Sequence, residues 1–336
     1  MAEIVELHSE ESIPELESMM SLIFEKEEVQ AITNQRKDYE YKMHRASKRK
    51  EDCMKYIKYE MLLMKTIKLR QKKKGLQKNA KLTNLEFSLG RRLNKMFILT
   101  IRWFPNDIKL WLTYIKFCKK MNFFSAASRI LEQMLELHGG SRPELFKMAA
   151  TWEINECNCI EKARKYLLMG LHLHKEDKLL LGEAFRLELI DADRNRKACI
   201  AKNLPLDPTN IHLTTRKAES IYDGSIKKLR DVELMNQLIT ICEKFEFANA
   251  LHTKLNTDLF EYDSDERMWD IIAQRELTST EDKLTPKLKI GKCVALYDTA
   301  VKRLNNHKMW NYYLEALLEM AKDSSVLPIY KRKLLL

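Results

Sequence analysis

Hydrophobic side chains recur at one helical phase along much of the chain. In the stretch LWLTYIKFCKK (residues 110–120), Trp111, Tyr114 and Cys118 stand at positions 1, 4 and 8. Because an α-helix turns by about 100° per residue, these three positions share one face. The spacing predicts a helix that presents a single packing stripe.

The same template returns elsewhere, twice at an interval of 35 residues. The other segments that fit positions 1, 4 and 8 are Cys53, Tyr56 and Glu60; Phe146, Ala149 and Glu153; Leu181, Ala184 and Glu188; Trp269, Ile272 and Glu276; and Trp310, Tyr313 and Leu317. A position that stays aromatic or aliphatic from repeat to repeat is typical of a core, whereas bases would need exposed aromatic faces to stack on. We therefore predict repeat-packing roles for Tyr56, Glu60, Trp111, Tyr114, Phe146, Glu153, Leu181, Glu188, Trp269, Glu276, Trp310 and Tyr313.

A second helix follows the first in several repeats. Residues 127–135, 163–171 and 293–301 align position for position, each with a small residue first and an aliphatic residue last. A helix pair that recurs every 34 to 36 residues is typical of an α-solenoid, whose units bury their apolar faces on their neighbours. The pattern predicts an all-α fold, an α-solenoid of helix-pair repeats.

Five stretches differ in pattern and charge. We predict an acidic N-terminal helical segment (1–35), then a basic region with a first divergent repeat (36–105). Repeats with a period of about 35 residues follow (106–205), then irregular helical repeats (206–265). C-terminal repeats, the last of them incomplete, occupy residues 266–336.

Composition agrees with a helical protein of the cell interior. Only 8 glycines and 7 prolines occur among 336 residues, which argues against a turn-rich β protein. No run approaches the roughly 20 apolar residues that span a bilayer, and the acidic start does not resemble a secretory leader. The 7 scattered cysteines include no CxxC pair, so we expect reduced thiols.

Charge is concentrated near the N-terminus, although the whole chain has a net charge of +11. Residues 1–35 carry nine acidic side chains and one basic side chain, whereas residues 36–95 carry twenty basic and six acidic ones. On one helix, several lysines of residues 53–74 would share less than half the circumference. The candidate basic patch comprises Lys55, Lys58, Lys65, Lys68, Arg70, Lys72, Lys73, Lys74, Arg91 and Arg92.

Four interpretations of this patch stay open. It could neutralise RNA phosphates without reading sequence, bind an acidic partner or serve nuclear import, or it could be a plain solvated surface. The acidic segment before it has apolar residues at near-helical spacing. That segment could dock on another protein, but intramolecular pairing with the basic helix is the simpler expectation.

No catalytic constellation is present in the sequence. It contains no GxxxxGK[ST] or GxGxxG loop, no GxSxG elbow and no HExxH. The pairs Cys157/Cys159 and His172/His174 contain metal-binding residue types, but residues two apart on a helix diverge by about 200°. The glutamates at position 8 recur with the repeat and so look structural, and a buried glutamate must be paired or hydrogen-bonded. We predict no catalytic, cofactor or metal site.

An aromatic residue at position 1, tyrosine at 4 and glutamate at 8, followed by an AR…ERAL-like helix, resembles the HAT (half-a-tetratricopeptide) repeat. The segments DYEYKMHR (38–45) and KEDCMKYIKYE (50–60) are similar to the opening of the U3 small nucleolar RNA-associated protein 6 family. LWLTYIKFCKK and FRLELIDAD (185–193) are similar to later parts of that family, so that the resemblance covers most of residues 13–320.

The resemblance implies a non-catalytic scaffold subunit of the nucleolar small-subunit processome, in its U3-associated UTP-B subcomplex. Such a subunit supports processing of the 18S precursor in the nucleus. It implies other UTP-B proteins as partners, and U3 small nucleolar RNA and pre-rRNA as at least indirect contacts. We expect no small-molecule substrate, no cofactor and no membrane. A HAT scaffold of splicing or mRNA 3′-end processing and a direct RNA-binding protein remain the alternatives.

Two departures from the family matter. Cys53 stands where an aromatic residue is usual, so the first repeat is expected to pack more loosely. The chain is also shorter than the family, and its last predicted helix (about residues 308–321) has no second helix. We expect either a shortened variant or a chain whose end a partner covers.

Overall fold

Helices and turns make up the computed structural model, which describes residues 12–75, 80–205, 207, 209–278 and 286–322, together with residues 5, 6, 8 and 10. No strand occurs among these residues, which confirms the predicted all-α class. None of the helices in the described ranges is long and apolar enough to cross a bilayer. The chain divides into two compact units, Met1–Met134 and Leu135–Leu336.

The first unit is built from long helices that pack as neighbours in sequence. These are α1 (Ile13–Leu22), α2 (Lys26–Met43), α3 (Lys50–Lys73), α4 (Ala80–Trp103), α5 (Ile108–Met121) and α6 (Phe124–His138), within which the unit boundary falls. Each helix from α1 to α4 contacts the next, and α4 also contacts α5. In addition α1 packs on α4, so this part of the acidic N-terminal segment lies against the helix that pairs with α3.

The second unit continues with helices of the same kind. These are α7 (Glu144–Asn155), α8 (Ile160–Leu173), α9 (Lys178–Ala201), α10 (Arg216–Ile221), α11 (Val232–Cys242), α12 (Asn249–Leu259), α13 (Glu266–Thr278), α14 (Pro286–Leu304) and α15 (His307–Lys322). A π-helical segment, Tyr222–Ile226, follows α10. Alternate helices contact one another, α7 with α9, α9 with α11, α11 with α13 and α13 with α15.

Short polar residues set the helix ends. The Asp107, Asp177 and Asp231 carboxylates accept hydrogen bonds from backbone N–H groups in the first turns of α5, α9 and α11. Such caps satisfy donors that the helix itself leaves without partners. At the end of α5, Asn122 takes a left-handed conformation (φ 59°), which lets the chain turn sharply toward α6.

The predicted packing positions are mostly buried. Tyr56, Trp111, Tyr114, Phe146, Leu181 and Trp269 all lie in the cores of their units. The first residue of each aligned second helix, Ala127, Ala163 or Cys293, is fully buried as well. In α8, a Cβ on Gly170 would lie 2.8 Å from Cγ of Phe146, so the close approach of α7 to α8 requires glycine.

Two tryptophans at position 1 also make the same local contact. Trp111 Nε1 donates to the carbonyl oxygen of Pro105 at 2.7 Å, and Trp269 Nε1 donates to that of Asp263 at 2.9 Å. In both cases the acceptor lies six residues upstream. The contact satisfies the indole N–H while the ring is buried, and it ties the loop before each helix to that helix.

Of the predicted packing residues in α13 and α15, Tyr313 does pack on the core, whereas the prediction needs correction for Trp310 and Glu276. Trp310 is 45 % exposed, whereas Trp111 is 1 % exposed. The reason is the orientation of α15, which buries Met309, Ala316 and Met320, a face about 100° away from Trp310. Tyr313 is half-buried and stacks on Tyr297. Glu276 is also only half-buried, near the end of α13, where its carboxylate lies 3.5 Å from Lys292 Nζ.

The position-8 glutamates differ in how their charge is neutralised. Glu60 is paired with Arg36, and Glu188 with Arg164; in both pairs the arginine precedes the glutamate by 24 residues. Glu153 is equally buried, but within the described residues neither of its carboxylate oxygens has a hydrogen-bond partner. The expectation that every buried position-8 glutamate is paired is therefore wrong for Glu153, whose unpaired burial costs free energy.

Candidate functional site

The lysines predicted to share one face do so on α3. Lys55, Lys58, Lys65, Lys68 and Lys72, which we call the lysine stripe, are all exposed. The opposite face of α3 is apolar and buried through Tyr56, Ile57, Leu63, Met64 and Ile67. The helix is amphipathic, so burial of one face fixes the exposure of the lysine stripe.

Two leucines lie within the lysine stripe, and the sequence interpretation overlooked them. Leu62 and Leu69 are exposed on α3. At about 100° per residue, a helical projection of the sequence places both leucines between Lys55 and Lys65 around the helix. The sequence therefore contained the information needed to locate them. The exposed face of α3 thus combines apolar side chains with cations, which suits an amphipathic partner as well as a phosphate backbone.

Not every cation of the candidate patch is free to meet a partner. Arg70 forms a bidentate pair with Glu28, with both N–O distances 2.7 Å, and Lys68 lies 3.5 Å from Glu86. Lys74 Nζ donates to the carbonyl oxygen of Ile23 at 3.2 Å. In contrast, Lys55, Lys58, Lys65, Lys72 and Lys73 are exposed and make no ion pair with any residue that the structure describes.

The two arginines of α4 have different surroundings. The Arg91 guanidinium lies over the ring of the exposed Phe87, 4.6 Å from its centroid. Arg92 is largely buried, and its Nε lies 3.5 Å from the Glu15 carboxylate. Arg91 therefore belongs to the accessible surface, whereas Arg92 belongs to an internal charge cluster.

Glu15, Arg36, Glu60 and Arg92 form that internal cluster. Arg36 Nε and Nη2 donate to the two carboxylate oxygens of Glu60 at 2.7 and 2.8 Å, and Nη2 also lies 2.8 Å from Glu15. Burial alone would lower the pKa of Arg36, but the two carboxylates outweigh it and raise that pKa above its usual value. The acidic segment thus pairs with residues of its own unit, as expected from the simpler interpretation, through both Glu15 and Glu28.

The cysteine and histidine pairs singled out in the sequence do not converge on a common point. Cys159 precedes the first residue of α8, while His172 is exposed near its other end. The His174 ring nitrogen Nε2 lies 2.8 Å from the carbonyl oxygen of Gly139, which accounts for one of its polar atoms. Among the described residues, these four side chains form no group of neighbouring metal ligands.

Comparisons with known proteins agree with the resemblance of the N-terminal segments. A sequence model of the family described as U3 small nucleolar RNA-associated protein 6 matches residues 9–92, which include α1, α2 and α3. The matched stretch thus contains the lysine stripe and the Arg36–Glu60 pair. It is about a quarter of the chain.

Relatives extend the match over nearly all of the chain. The U3 small nucleolar RNA-associated protein 6 homolog of Mus musculus is 33 % identical over 99 % of this chain and 59 % of its own length. The homolog of Homo sapiens is 32 % identical over 95 % of this chain and 56 % of its own length. The Schizosaccharomyces pombe protein is 30 % identical over 56 % of this chain and 38 % of its own length.

The chain thus spans a little over half the length of its mammalian relatives. The matches begin with the N-terminal segments and continue through the helices of the second unit, so they do not depend on one motif. Over nearly all of its residues the chain is similar to relatives named as U3 small nucleolar RNA-associated protein 6 homologs, and residues 9–92 match the model of that family.

Proposed function

We propose that this chain is a non-catalytic scaffold of the nucleolar small-subunit processome, the U3-containing particle, and supports 18S pre-rRNA processing and small ribosomal subunit biogenesis. The observation that carries the proposal is its similarity to two mammalian relatives, both named as U3 small nucleolar RNA-associated, along nearly all its residues. Under this proposal its partners are other UTP-B proteins, with U3 RNA and pre-rRNA as at least indirect contacts, in the nucleolus.

A repeat architecture would serve such a scaffold. We propose that the helices form HAT-type pairs stacked as an α-solenoid, with the first pair in residues 36–105. The contacts between alternate helices from α7 to α15 support this, because stacked helix pairs bring each first helix against the next. The indole–carbonyl contact over six residues and the Arg–Glu pair over 24 residues recur as well. Repeats present long surfaces to several partners at once.

Affinity purification of the tagged chain from cell extract tests the proposed function. We expect U3 RNA and UTP-B proteins to co-purify, and the tag alone serves as the control. Recovery of spliceosomal RNAs or of 3′-end processing factors in their place would contradict the proposal and favour the rival HAT scaffolds.

Direct RNA contact through the lysine stripe is a second candidate function. It is favoured by the exposed lysines of α3 without acidic partners and by Arg91 beside the exposed Phe87. Cations of this kind bind phosphates without reading sequence, while an exposed aromatic ring offers a surface for a base.

A charge-reversal variant tests that candidate. Lys58→Glu, Lys65→Glu and Lys72→Glu together should weaken binding of single-stranded RNA and flatten its salt dependence, by about 0.7 in the log–log slope per lost phosphate contact. The matched control is Lys162→Glu, Lys165→Glu and Lys175→Glu, which alters three exposed lysines of the second unit. Equal losses of RNA affinity in both variants would show that the effect depends only on net charge. No loss in either variant would rule out direct RNA contact through the lysine stripe.

A further inference from the structure

Two histidines and one glutamate meet in the first unit, away from the lysine stripe. Glu40 and His44 lie four residues apart at the C-terminal end of α2, and His8 approaches them from the N-terminal segment. His8 Nδ1 lies 3.1 Å from Glu40 Oε2, and His44 Nε2 lies 3.4 Å from the same oxygen. The three ligand atoms all lie within 4.8 Å of one another.

The spacing of these atoms suits one small cation. A tetrahedral zinc ion with bonds of about 2.0–2.2 Å places its ligand atoms about 3.3–3.6 Å apart. Two of the three separations, 3.1 and 3.4 Å, are close to that requirement, and the third, between the two histidine nitrogens, is within 4.8 Å. Two imidazoles with one carboxylate also form a ligand set that zinc uses in proteins, with a fourth position left open.

The surroundings orient the ligands as metal sites require. The hydroxyl of Tyr56 donates to Glu40 Oε1 at 2.9 Å, which leaves Oε2 directed at the histidines. The ring of His44 is held edge-on against Trp103, with centroids 5.9 Å apart. Partners of this outer kind fix the orientation of metal ligands and raise affinity.

One ring nitrogen of His44 makes no hydrogen bond to any described group. That atom, Nε2, is buried. Within the described residues this nitrogen is therefore available to coordinate an ion.

Solvent can reach the group from one side. His8 and Glu40 line a cavity of about 310 Å³, which Ser88, Arg91, Arg92 and Lys95 also line. Because cations line this cavity, a water molecule or an anion is the natural occupant of the fourth position. Because Arg92 faces Glu15, part of this positive charge is already neutralised.

We propose that His8, Glu40 and His44 bind one Zn²⁺ ion, which fastens the N-terminal segment to the end of α2. The fourth ligand would be a water molecule in the adjoining cavity. The ion would join two segments that lie 32 residues apart in sequence. The proposal does not depend on the proposed function.

Zinc titration of the metal-free 336-residue chain, against a chromogenic chelator, tests the proposal. Cysteines are alkylated first, because free thiols also bind zinc. We expect one ion per chain, and affinity at least about tenfold weaker in both His8→Ala and His44→Ala. His172→Ala, which removes an exposed histidine of the second unit, should bind as the parent does.

Cobalt substitution provides an independent readout. Co²⁺ in a tetrahedral site of nitrogen and oxygen ligands gives intense visible bands, and these should disappear in His8→Ala. That variant keeps every residue of α1 to α6, so loss of the helical fold is not expected to explain its result. Zinc affinity that is unchanged in His8→Ala and His44→Ala, or absence of stoichiometric binding by the parent, would overturn the proposal.

Discussion

The two units contain the same charge pair in different settings. In the first unit Arg36 is 5 % exposed and is surrounded by Glu15 and Glu60. In the second unit Arg164 is 23 % exposed and pairs with Glu188 and Asp191, and Lys217 lies 3.2 Å from Asp191 as a second cation. The two pairs thus share the same 24-residue spacing, whereas the neighbouring helices determine how much stability is lost when the arginine is removed.

Burial explains why the difference should be large. A buried carboxylate that loses its only strong cation stays desolvated and unpaired. A partly exposed carboxylate can recover solvent, and a second cation can take over its partner's place. The acidic N-terminal segment contributes to this contrast, because Glu15 on α1 adds a second carboxylate to Arg36.

Arg36→Met should have the largest effect on stability. It leaves the buried Glu15 and Glu60 without that guanidinium, so we expect a loss of about 3–5 kcal/mol in the free energy of unfolding. Urea unfolding followed by circular dichroism measures the loss. A loss equal to that of Arg164→Met would contradict the contrast between the units.

Trp111→Ala extends the contrast from charges to aromatic residues. Emptying this fully buried site should cost about 3–5 kcal/mol in the free energy of unfolding. Trp310→Ala is the matched control, and it should cost only about 0.5–1 kcal/mol because Trp310 is 45 % exposed. An unchanged melting curve for Trp111→Ala would refute the assignment of Trp111 to the core.

The second cation in the second unit can be tested by a double variant. Arg164→Met alone should cost about 1 kcal/mol, since Lys217 still faces Glu188 and Asp191. Together with Lys217→Met the cost should exceed the sum of the single costs by roughly 0.5–3 kcal/mol, because both carboxylates lose their last cation. Strict additivity in this double-mutant cycle would show that Lys217 does not replace Arg164.

The exposed pair between Glu28 and Arg70 should have the smallest effect, and that effect should depend on pH. The hydrogen bond from Arg70, then that from the Glu25 N–H, lowers the pKa of Glu28 from 4.5 to about 2. A lowered folded-state pKa stabilises the protein above pH 4.5, and this contribution is lost as the pH falls toward 2. The stability difference between the parent and Glu28→Gln should therefore shrink over that interval. It should also decrease with added salt at neutral pH. A difference independent of pH would assign the effect to packing.

The sequence predicted local features better than it predicted distant pairings. The 1-4-8 template located Trp111 and Trp269 in the core because both lie on the face that their helices bury. It failed for Trp310, since the template gives spacing along a helix and not the angle at which α15 rests on α13 and α14. The helical projection likewise predicted that the lysine stripe shares one face of α3. It would also have assigned Leu62 and Leu69 to that face if apolar residues had been included.

The long-range pairings could not be predicted from the sequence, and the reason is physical. The repeat phase indicated that Glu60 and Glu188 need partners, but no local pattern identifies Arg36 or Arg164 among the many cations of the chain. His8 is separated from Glu40 by 32 residues, and no motif has that spacing. Only the packing of the N-terminal segment brings these side chains together.

The most direct test of the scaffold is purification of the tagged chain after the extract has been treated with ribonuclease and washed at high salt. A scaffold bound through protein contacts should retain UTP-B proteins, because buried apolar interfaces are little affected by loss of RNA or by salt. U3 RNA should be lost while these proteins stay. Loss of every protein partner on ribonuclease treatment would contradict the scaffold and would show that RNA alone holds the chain in the particle.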